Sequence, residues 1–279
     1  MTTRPTWFIT GCSTGLGREL AKAALHRDLN VVVTARNPDA VADIVAAHPD
    51  RAVAAALDVT DPAQIDAALA VARERFGAID VLVNNAGYVY RAAVEEGERE
   101  AVEALFATNF FGAVELIKAV LPDMRRRRSG AIVNLASMSS RITPPGSGYY
   151  AATKAALEAL TGSLRKEAGP LGITVMVVAP GAVRTEFFRG VAQSEVPIDD
   201  YAATSGARRA DHTRYGTQLG DPAKGAAAIL EAVLSPEPPA VLVLGTDALE
   251  MTRTTIAAHL DEVAAWEALS ASTDFADGA

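Results

Sequence analysis

The chain has 279 residues, of which 49% are hydrophobic and 22% are charged, a composition that fits one large domain or two small ones. A net charge of −8 and a pI near 5.1 argue against nucleic acid as the main partner. No run approaches the ~20 apolar residues of a membrane span, residues 1–5 lack the apolar core of a signal peptide, and the single cysteine cannot form an internal disulfide. We therefore expect a cytoplasmic protein with no membrane span and no metal site.

Seven short apolar runs alternate with longer helical patterns along the chain. Several runs are nearly continuous in Val, Ile, Leu and Ala, which is typical of strands buried on both faces of a parallel sheet. Strands that alternate with helices predict a doubly wound α/β fold. The predicted strands are residues 6–10, 30–35, 52–57, 80–84, 131–137, 174–179 and 240–245.

Turn and cap residues divide the rest of the chain. Asp61 and Pro62 have the types that begin a helix, and Gly77 is the type that follows its end. The basic run 125–128 closes another helical segment, where it complements the helix dipole and faces solvent. Since no linker or repeat is large enough to split the chain, residues 1–279 are predicted to form one domain.

Two stretches lie outside the alternating pattern. Residues 186–220 have few periodic signals and many charges, and they are too long for a simple connector. Residues 270–279 are small and polar and are expected to fray.

A glycine-rich turn follows the first predicted strand. Gly11, Gly15 and Gly17 have the spacing G-x-x-x-G-x-G rather than the familiar G-x-G-x-x-G. In an α/β fold, backbone N–H groups at this turn and the positive end of the next helix hold a nucleotide pyrophosphate, and side chains would block its approach. Tight packing of helix on strand also uses glycine, so the turn alone does not decide.

Later motifs carry a resemblance to a known family. They are T-G-C-S-T-G-L-G (10–17), D-V (58–59), N-N-A-G (84–87), N-F-F-G (109–112), S-x12-Y-x3-K (137, 150, 154) and P-G-x-V-x-T (180–185). In order and spacing the chain resembles the short-chain dehydrogenase/reductase family over about two thirds of its length. The wording of residues 7–17 is also similar to a subgroup near the 17β-hydroxysteroid and retinol dehydrogenases.

The resemblance implies a single-domain Rossmann fold with a seven-stranded parallel sheet flanked by helices. It divides the chain into a cofactor and catalytic core at 6–185 and a substrate lid at 186–220. It also implies an oxidoreductase that transfers a hydride between a nicotinamide and a carbonyl or secondary alcohol. The catalytic residues that it implies are Asn109, Ser137, Tyr150 and Lys154.

Spacing distinguishes the candidate acid/base from its neighbour. Tyr150 and Lys154 are four residues apart and share a helix face, whereas Tyr149 is about 140° away from the lysine around the helix and is expected to line or pack. A nearby positive charge lowers the pKa of a tyrosine, so we expect a depressed pKa for Tyr150. Ser139 and Ser140 are not excluded by residue type, but they lack the register of Ser137.

The residues after the second strand bear on cofactor choice. Ala35 stands where family members that use NAD tend to have an aspartate, and Arg36 follows it. Arginine pairs well with a phosphate dianion, and Ser13 adds a hydrogen-bond donor. These residues favour NADP(H). Thr14 occupies a place where some NADP users carry a basic residue, so NAD(H) remains possible.

The family motifs also imply the remaining cofactor contacts. The glycine turn would hold the pyrophosphate, and later strand ends would border the adenine, the riboses and the nicotinamide. Tyr150 and Lys154 are also expected to touch the cofactor. The full predicted set adds Gly11, Thr14, Gly15, Leu16, Gly17, Asp58, Val59, Asn85, Ala86, Gly87, Pro180, Gly181, Val183 and Thr185. Cys12, inside the turn, is expected to pack.

The substrate is less well defined by the sequence. Eight residues after several strands, most of them aromatic or aliphatic, permit a medium-sized, partly apolar carbonyl compound or alcohol as substrate. They are Tyr88, Tyr90, Arg141, Ile142, Phe187, Phe188, Val191 and Tyr201. The charged residues of the lid are expected to be solvated; they are Asp199, Asp200, Arg208, Arg209 and Asp211. Neither the substrate nor the physiological direction follows from the residues.

Assembly and a competing function remain as expectations. In the family, helices such as 109–124 and 150–168 pair across a dimer or tetramer interface, so we expect a homodimer or homotetramer. The alternative function is a non-catalytic NAD(P)-binding redox sensor on the same scaffold, although such proteins typically lose the tyrosine or the lysine. An epimerase or dehydratase of the extended branch fits less well, because those enzymes usually have another glycine spacing and a larger C-terminal domain.

Overall fold

The computed structural model describes residues 4–189, 191–211 and 216–275. The described residues form nine strands, seven of which lie in one sheet. The strands are β1 (Thr6–Ile9), β2 (Asn30–Ala35), β3 (Ala52–Ala56), β4 (Val81–Asn84), β5 (Tyr90–Arg91), β6 (Gly130–Leu135), β7 (Ile173–Pro180), β8 (Ala192–Gln193) and β9 (Val241–Leu244).

The seven-stranded sheet is parallel throughout and has the order β3-β2-β1-β4-β6-β7-β9. All seven predicted strands are confirmed, with ends that differ by one or two residues. The strand order reverses between β1 and β4, and ligands of doubly wound sheets bind outside the carboxyl ends of the strands at such a point. The small parallel pair of β5 and β8 was not predicted.

Helices cover both faces of this sheet. They are α1 (Gly15–His26), α2 (Ala42–Ala47), α3 (Pro62–Phe76), α4 (Arg99–Phe106), α5 (Gly112–Arg127), α6 (Ser139–Ile142), α7 (Gly148–Ala168), α8 (Ala207–Ala210), α9 (Pro222–Leu234), α10 (Thr246–Ala265) and α11 (Glu267–Ala271). A π-helical turn, Ala107–Phe111, joins α4 to α5.

The sheet separates two apolar layers, because successive residues of a strand point to opposite faces. Trp7 and Ile9 pack into the layer that contains α1 and α9, whereas Phe8 packs into the layer that contains α3, α5 and α7. Both layers are therefore filled from the same strands, which explains why these strands are nearly continuous in apolar residues.

The predicted helix ends are confirmed. Asp61 Oδ1 accepts hydrogen bonds from the N–H groups of Ala63 (2.9 Å) and Gln64 (3.3 Å) at the start of α3. Gly77 follows that helix with φ of 88°, a conformation that glycine adopts without strain. Residues 125–128 are exposed at the end of α5, as expected, although the Arg127 guanidinium also binds Asp80 at 2.8 Å.

The two irregular stretches are more ordered than the sequence indicates. The predicted lid contains β8, α8, two short 3-10 turns and a π turn, and its residues 190 and 212–215 lie outside the described residues. The expected fraying of 270–279 is wrong for Ser270 and Ala271, which belong to α11. Residues 276–279 also lie outside the described part.

One helical stretch of the described chain, residues 99–127, is long and apolar enough to cross a membrane by length and composition alone. A core helix meets the same criterion, and here Leu116, Val120 and Met124 are buried in the apolar layer beside α3. The expected absence of a membrane span stays a prediction.

Candidate active site

A cavity of about 670 Å³ opens at the carboxyl ends of the parallel strands, beside the strand-order reversal. Its wall includes the glycine turn after β1 and the ends of β2, β4, β6 and β7. All the predicted site residues except Gly17 and Asn109 line it: Gly11, Ser13, Thr14, Gly15, Leu16, Arg36, Asp58, Val59, Asn85, Ala86, Gly87, Ser137, Tyr150, Lys154, Pro180, Gly181, Val183 and Thr185. The topology thus brings together motifs that are 170 residues apart in the sequence.

The glycine turn is shaped to hold an anion. Gly11 and Gly15 have φ of 69° and 63°, in the left-handed region that side chains disfavour. Thr14 precedes α1 in an extended conformation, and its side chain makes no capping hydrogen bond. The first N–H groups of α1 therefore lack a side-chain cap at the cavity wall, where the helix dipole favours negative charge.

Gly17 has a packing role and does not line the cavity. A Cβ at this position would lie 2.3 Å from Asn85 Nδ2 and 2.7 Å from the Gly11 carbonyl oxygen. The Asn85 amide itself donates to the carbonyl oxygens of Thr10 (2.8 Å) and Gly11 (3.0 Å). The expectation that Gly17 touches a cofactor stays a prediction; in the structure its bare backbone lets Asn85 fasten the turn to the end of β4.

Asn109 also lies behind the cavity wall. In the π-helical turn its Oδ1 accepts from the Tyr88 N–H (3.0 Å), and its Nδ2 donates to the Tyr88 carbonyl (2.9 Å). A Cβ on Gly87 would meet Asn109 Oδ1 at 3.0 Å and Lys154 Nζ at 3.4 Å. The helix is distorted into a π turn at Asn109, and the Asn109 side chain supports the loop at Tyr88 rather than the cavity itself.

Tyr150 and Ser137 face each other across the cavity floor. Tyr150 lies in the first turn of α7, and Ser137 follows β6. The Ser137 side chain lies close enough to the Tyr150 phenol to lower the pKa of the tyrosine through a hydrogen-bonding interaction. Burial acts in the opposite direction and is stronger, so the pKa of Tyr150 is raised to about 12.

The expected depression of the Tyr150 pKa is therefore wrong, because burial of the phenol has a larger effect on this pKa than any other group of the protein. Lys154 Nζ lies 6.0 Å from the centroid of the Tyr150 ring and donates to the Leu135 carbonyl at 2.8 Å. Its own pKa is lowered to about 8 by burial, since burial disfavours the charged form of an amine. The phenol is accordingly protonated at neutral pH, while the lysine is close to its titration point.

The contacts of Ser139, Ser140 and Tyr149 distinguish them from the candidate residues of the same types. Ser140 Oγ donates to Glu158 Oε2 at 2.8 Å, and the backbone N–H of Ser139 donates to Ser137 Oγ at 3.1 Å. Tyr149 points away and donates its hydroxyl to the Val94 carbonyl at 2.6 Å. None of these three residues lines the cavity, although Ser139 helps to orient Ser137.

Arg36 lies exposed at the end of β2, on the cavity wall next to Ala35 and Ser13. No ion pair joins Arg36 to a carboxylate anywhere in residues 4–189, 191–211 or 216–275. Arg18, by contrast, is bound to the Asp43 carboxylate and to the Ala40 carbonyl. Arg36 is thus the cation at this end of the cavity whose charge is not already paired within the described chain.

Half of the eight predicted substrate residues line the cavity. Tyr88, Phe187, Phe188 and Val191 do so, and Val89, Arg189 and Ala192 join them without having been predicted. The other four do not line it. Tyr90 is 2% exposed and bonds Glu98, Tyr201 bonds Glu95, Arg141 pairs with Glu158, and Ile142 lies in α6.

The charged lid was expected to be solvated, and for Arg209 this is wrong. Its guanidinium forms a two-point ion pair with Glu96, whose side chain is fully buried. Glu96 also accepts from the N–H groups of Ala93 (2.7 Å) and Ile198 (2.9 Å). Sequence reasoning missed this acid, although the run E-E-G-E at 95–98, beside an otherwise apolar segment, was a usable signal.

Thr153 was missed as well. Its hydroxyl donates to the Tyr150 carbonyl at 2.8 Å and accepts from Asn109 Nδ2 at 3.2 Å. It therefore links the π-helical turn to the helix that carries the acid/base candidate.

Among the described residues, no group of three or more His, Cys, Asp or Glu side chains is arranged to hold a metal ion. Cys12 packs as expected; it is buried, which raises its pKa to about 12.

Known proteins are similar to this chain in sequence and in architecture. The family model described as short chain dehydrogenase matches residues 5–196. "Oxidoreductase BOA17" of Botryotinia fuckeliana is 37% identical over 246 residues, which cover 88% of this chain and 90% of that protein. A short-chain dehydrogenase from Streptomyces avermitilis superposes with a TM-score of 0.91 at 42% identity and covers 99% of this chain and 100% of that one.

Two further solved structures were determined with nicotinamide cofactors. ElxO with NADP bound has a TM-score of 0.74 at 25% identity, covering 88% of this chain and 99% of that one. A 3-ketoacyl-(acyl-carrier-protein) reductase from Brucella melitensis, complexed with NADH, has a TM-score of 0.72 at 25% identity, covering 87% and 96%. By the family match, the relatives and the parallel-sheet architecture, this chain belongs to the short-chain dehydrogenase/reductase family of oxidoreductases.

Proposed function

We propose that the protein is an NADP(H)-dependent oxidoreductase that interconverts a carbonyl and a secondary alcohol, with Tyr150 as the acid/base. The observation that carries this proposal is the convergence of Tyr150, Ser137 and Lys154 on the cavity that also contains the glycine turn. A redox sensor would need the glycine turn but not a phenol, a serine hydroxyl and a lysine on the wall of the same cavity.

The cavity residues fit a nicotinamide dinucleotide. The uncapped start of α1, with Gly11 and Gly15 at positive φ, suits a pyrophosphate. Pro180, Gly181, Val183 and Thr185 would border the nicotinamide, Asn85, Ala86 and Gly87 a ribose, and Asp58 and Val59 the adenine. When bound, the nicotinamide supplies or accepts the hydride and, in its oxidised form, adds a positive charge.

Arg36 supports NADP(H) over NAD(H). Its exposed guanidinium lies on the cavity wall beside the Ser13 hydroxyl, and arginine binds a phosphate dianion through two parallel hydrogen bonds. Ala35, just before it, offers no carboxylate to hold a ribose 2′-hydroxyl. Because solved relatives bind NADP in one case and NADH in another, the preference has to be argued from this chain's own residues.

The catalytic roles follow from protonation states and contacts. The Tyr150 phenol is protonated at neutral pH and would donate that proton to a carbonyl oxygen as the hydride adds to the carbon. The Ser137 hydroxyl, which contacts that phenol, would hydrogen-bond the same oxygen and polarise the carbonyl. The Lys154 ammonium adds positive charge 6.0 Å from the ring, which favours the phenolate that forms when the proton leaves.

The substrate is proposed to be medium-sized and partly apolar. The cavity wall near Tyr150 carries Tyr88, Phe187, Phe188 and Val191, and the Phe187 ring lies 6.5 Å from the Tyr150 ring, centroid to centroid. These aromatic and aliphatic side chains suit a carbonyl compound whose remaining substituents are aromatic or aliphatic. A cytoplasmic homodimer or homotetramer is proposed as well, and the 56% exposed Phe111 at the start of α5 supports pairing through that helix.

Cofactor binding tests the proposal at its first step. Calorimetric titration with NADPH and NADH should show binding of both, with NADPH favoured about 10- to 100-fold. Arg36→Ala should remove the preference by weakening NADPH alone, because one charge-assisted contact to the phosphate is lost. Arg125→Ala, an exposed arginine in the basic run, is the matched control. Equal binding of both cofactors by the native protein contradicts the proposed preference, and binding of neither contradicts the enzymatic proposal.

A further inference from the structure

The C-terminal residues 254–275, here called the C-terminal arm, are exposed along almost their whole length. At the base of α10, Ala248 and Thr252 are buried. From residue 256 onward every described residue is exposed. The arm therefore consists of the exposed end of α10, the short helix α11 and the residues after it, although helices in proteins are usually stabilised by packing an apolar face.

The arm carries an apolar stripe. Ile256, Leu260 and Val263 have the spacing i, i+4, i+7 that places them on one helix face, and Leu249 lies on the same line one heptad earlier. These residues are 51%, 62%, 56% and 39% exposed. Beyond them follow three further exposed apolar side chains: Trp266 (60%), Leu269 (61%) and Phe275 (92%).

The total surface is larger than a compact monomer should have. The chain exposes 14656 Å², whereas a monomer of 29.1 kDa typically exposes about 11,400 Å² by the scaling of area with mass. The excess of about 3,000 Å² is more than the ~800 Å² that each partner buries in a standard interface. Residues 256–275, all of which are exposed, contribute to this excess surface, which is large enough for a stable interface with another chain.

Charge excludes a membrane surface as the occupant. Helices that lie on membranes carry Lys and Arg on the polar face. Here Arg253 is outnumbered by acids on α10 and α11, namely Asp247, Glu250, Asp261, Glu262 and Glu267. An acidic helix is repelled by anionic lipid headgroups.

The base of the arm adjoins the edge of the sheet. β9 is the outermost strand, with Val241 38% exposed, and proteins normally cover such edges. Most soluble oligomers are symmetric homo-oligomers in which one surface meets the same surface of a second copy. We propose that the C-terminal arm is an assembly arm that packs its apolar stripe against a second copy of this chain. This interface is separate from the α5 and α7 pairing proposed above and does not depend on the enzymatic activity.

The test is the mass of the full-length protein in solution with and without charges on the stripe. Sedimentation of the double variant Ile256→Glu, Leu260→Glu should give half the mass of the native assembly, whether tetramer to dimer or dimer to monomer. Ala258→Glu adds a charge to the opposite face of the same helix and should leave the mass unchanged. Thermal unfolding checks that each variant is folded, which is expected because the arm is exposed.

A second readout follows from the two tryptophans of the chain. Trp7 is fully buried, so a red shift of emission in the double variant reports exposure of Trp266. A native protein that sediments as a single chain overturns the proposal, and so does a double variant with the native mass and emission. Binding of the native protein to vesicles of anionic phospholipid, lost in the double variant, would replace it with a membrane role.

Discussion

Lys154 Nζ lies 6.0 Å from the centroid of the Tyr150 ring, with both side chains buried. The amine is held there by the Leu135 carbonyl at the end of β6, so the strand end fixes the charge beneath the ring. Burial raises the pKa of Tyr150 to about 12 and lowers the pKa of Lys154 to about 8. The charge that we propose to be catalytic is thereby placed where burial disfavours it, so we expect the stability of the protein to depend on pH.

Lys154→Met should stabilise the folded protein at pH 7. The lysine has a pKa of about 8 when folded against 10.5 in the unfolded chain, so below pH 8 the charged buried amine costs ~3 kcal/mol. Between pH 8 and 10.5 the unfolded chain binds more protons, and this cost is relieved as pH rises. The difference in unfolding free energy between the variant and the native protein should shrink over that window, as measured by urea unfolding at several pH values.

The loss of the bond to the Leu135 carbonyl reduces the gain by about 1 kcal/mol. Lys154→Arg, which keeps a charge that does not titrate in this range, is the control and should show no such relief between pH 8 and 10.5. A Lys154→Met variant whose stability runs parallel to the native curve across this window would contradict the buried-amine interpretation.

Ser137→Ala should lower kcat by about 10²-fold with little change in cofactor affinity. The hydroxyl that contacts Tyr150 is the donor proposed for the substrate oxygen, and removing one such donor typically costs this much. Ser139→Ala keeps its backbone bond to Ser137 and should retain activity. Steady-state kinetics with a carbonyl substrate decide; an equal loss in both variants would show that the serine turn, rather than the Ser137 hydroxyl, matters.

The buried Glu96–Arg209 pair should hold the lid against the body. Three glutamates of residues 95–98 accept hydrogen bonds from the lid. Glu95 accepts from the Tyr201 hydroxyl. Glu98 accepts from the N–H of Glu195, and Glu96 accepts from the N–H of Ile198. Because breaking a buried ion pair leaves an uncompensated charge, Arg209→Ala should cost about 3 kcal/mol. We expect faster amide exchange in 191–211 and a higher KM with little change in cofactor binding.

Arg189→Ala removes an exposed arginine that pairs with Glu186 on the surface and serves as the matched control for stability. Hydrogen exchange followed by mass spectrometry separates the two variants without requiring turnover. Unchanged protection of 191–211 in Arg209→Ala would show that the pair does not hold the lid.

The sheet and the cavity were predictable because local sequence encodes them. The apolar runs of 31–33 and 175–178 form strands whose two faces are both covered, and parallel strands carry every motif at their carboxyl ends to one edge. Gly11 and Gly15 could be assigned to a turn because glycine readily adopts the positive φ angles that this turn has. The motif spacing then placed Ser137 and Tyr150 on the same cavity.

Other residues could not be assigned locally because distant contacts decide their environment. Tyr90 and Tyr88 are equivalent by type and position, yet β5 pairs with β8 a hundred residues later, and this turns Tyr90 into the core and leaves Tyr88 on the cavity wall. The prediction that the pKa of Tyr150 is lowered was wrong for a similar reason. Its neighbouring charge was visible in the sequence, but the extent of its burial was not.

Removal of the Tyr150 hydroxyl tests most directly the central claim that Tyr150 is the acid/base. With NADPH and a panel of aromatic and aliphatic ketones, the native protein should oxidise the cofactor, and Tyr150→Phe should lower kcat at least 10³-fold, because general acid catalysis contributes 10²–10⁴-fold. Cofactor affinity should be unchanged, and Tyr149→Phe should remain active. If Tyr150→Phe turns over at the native rate, Tyr150 is not the acid/base, and the proposed mechanism is contradicted.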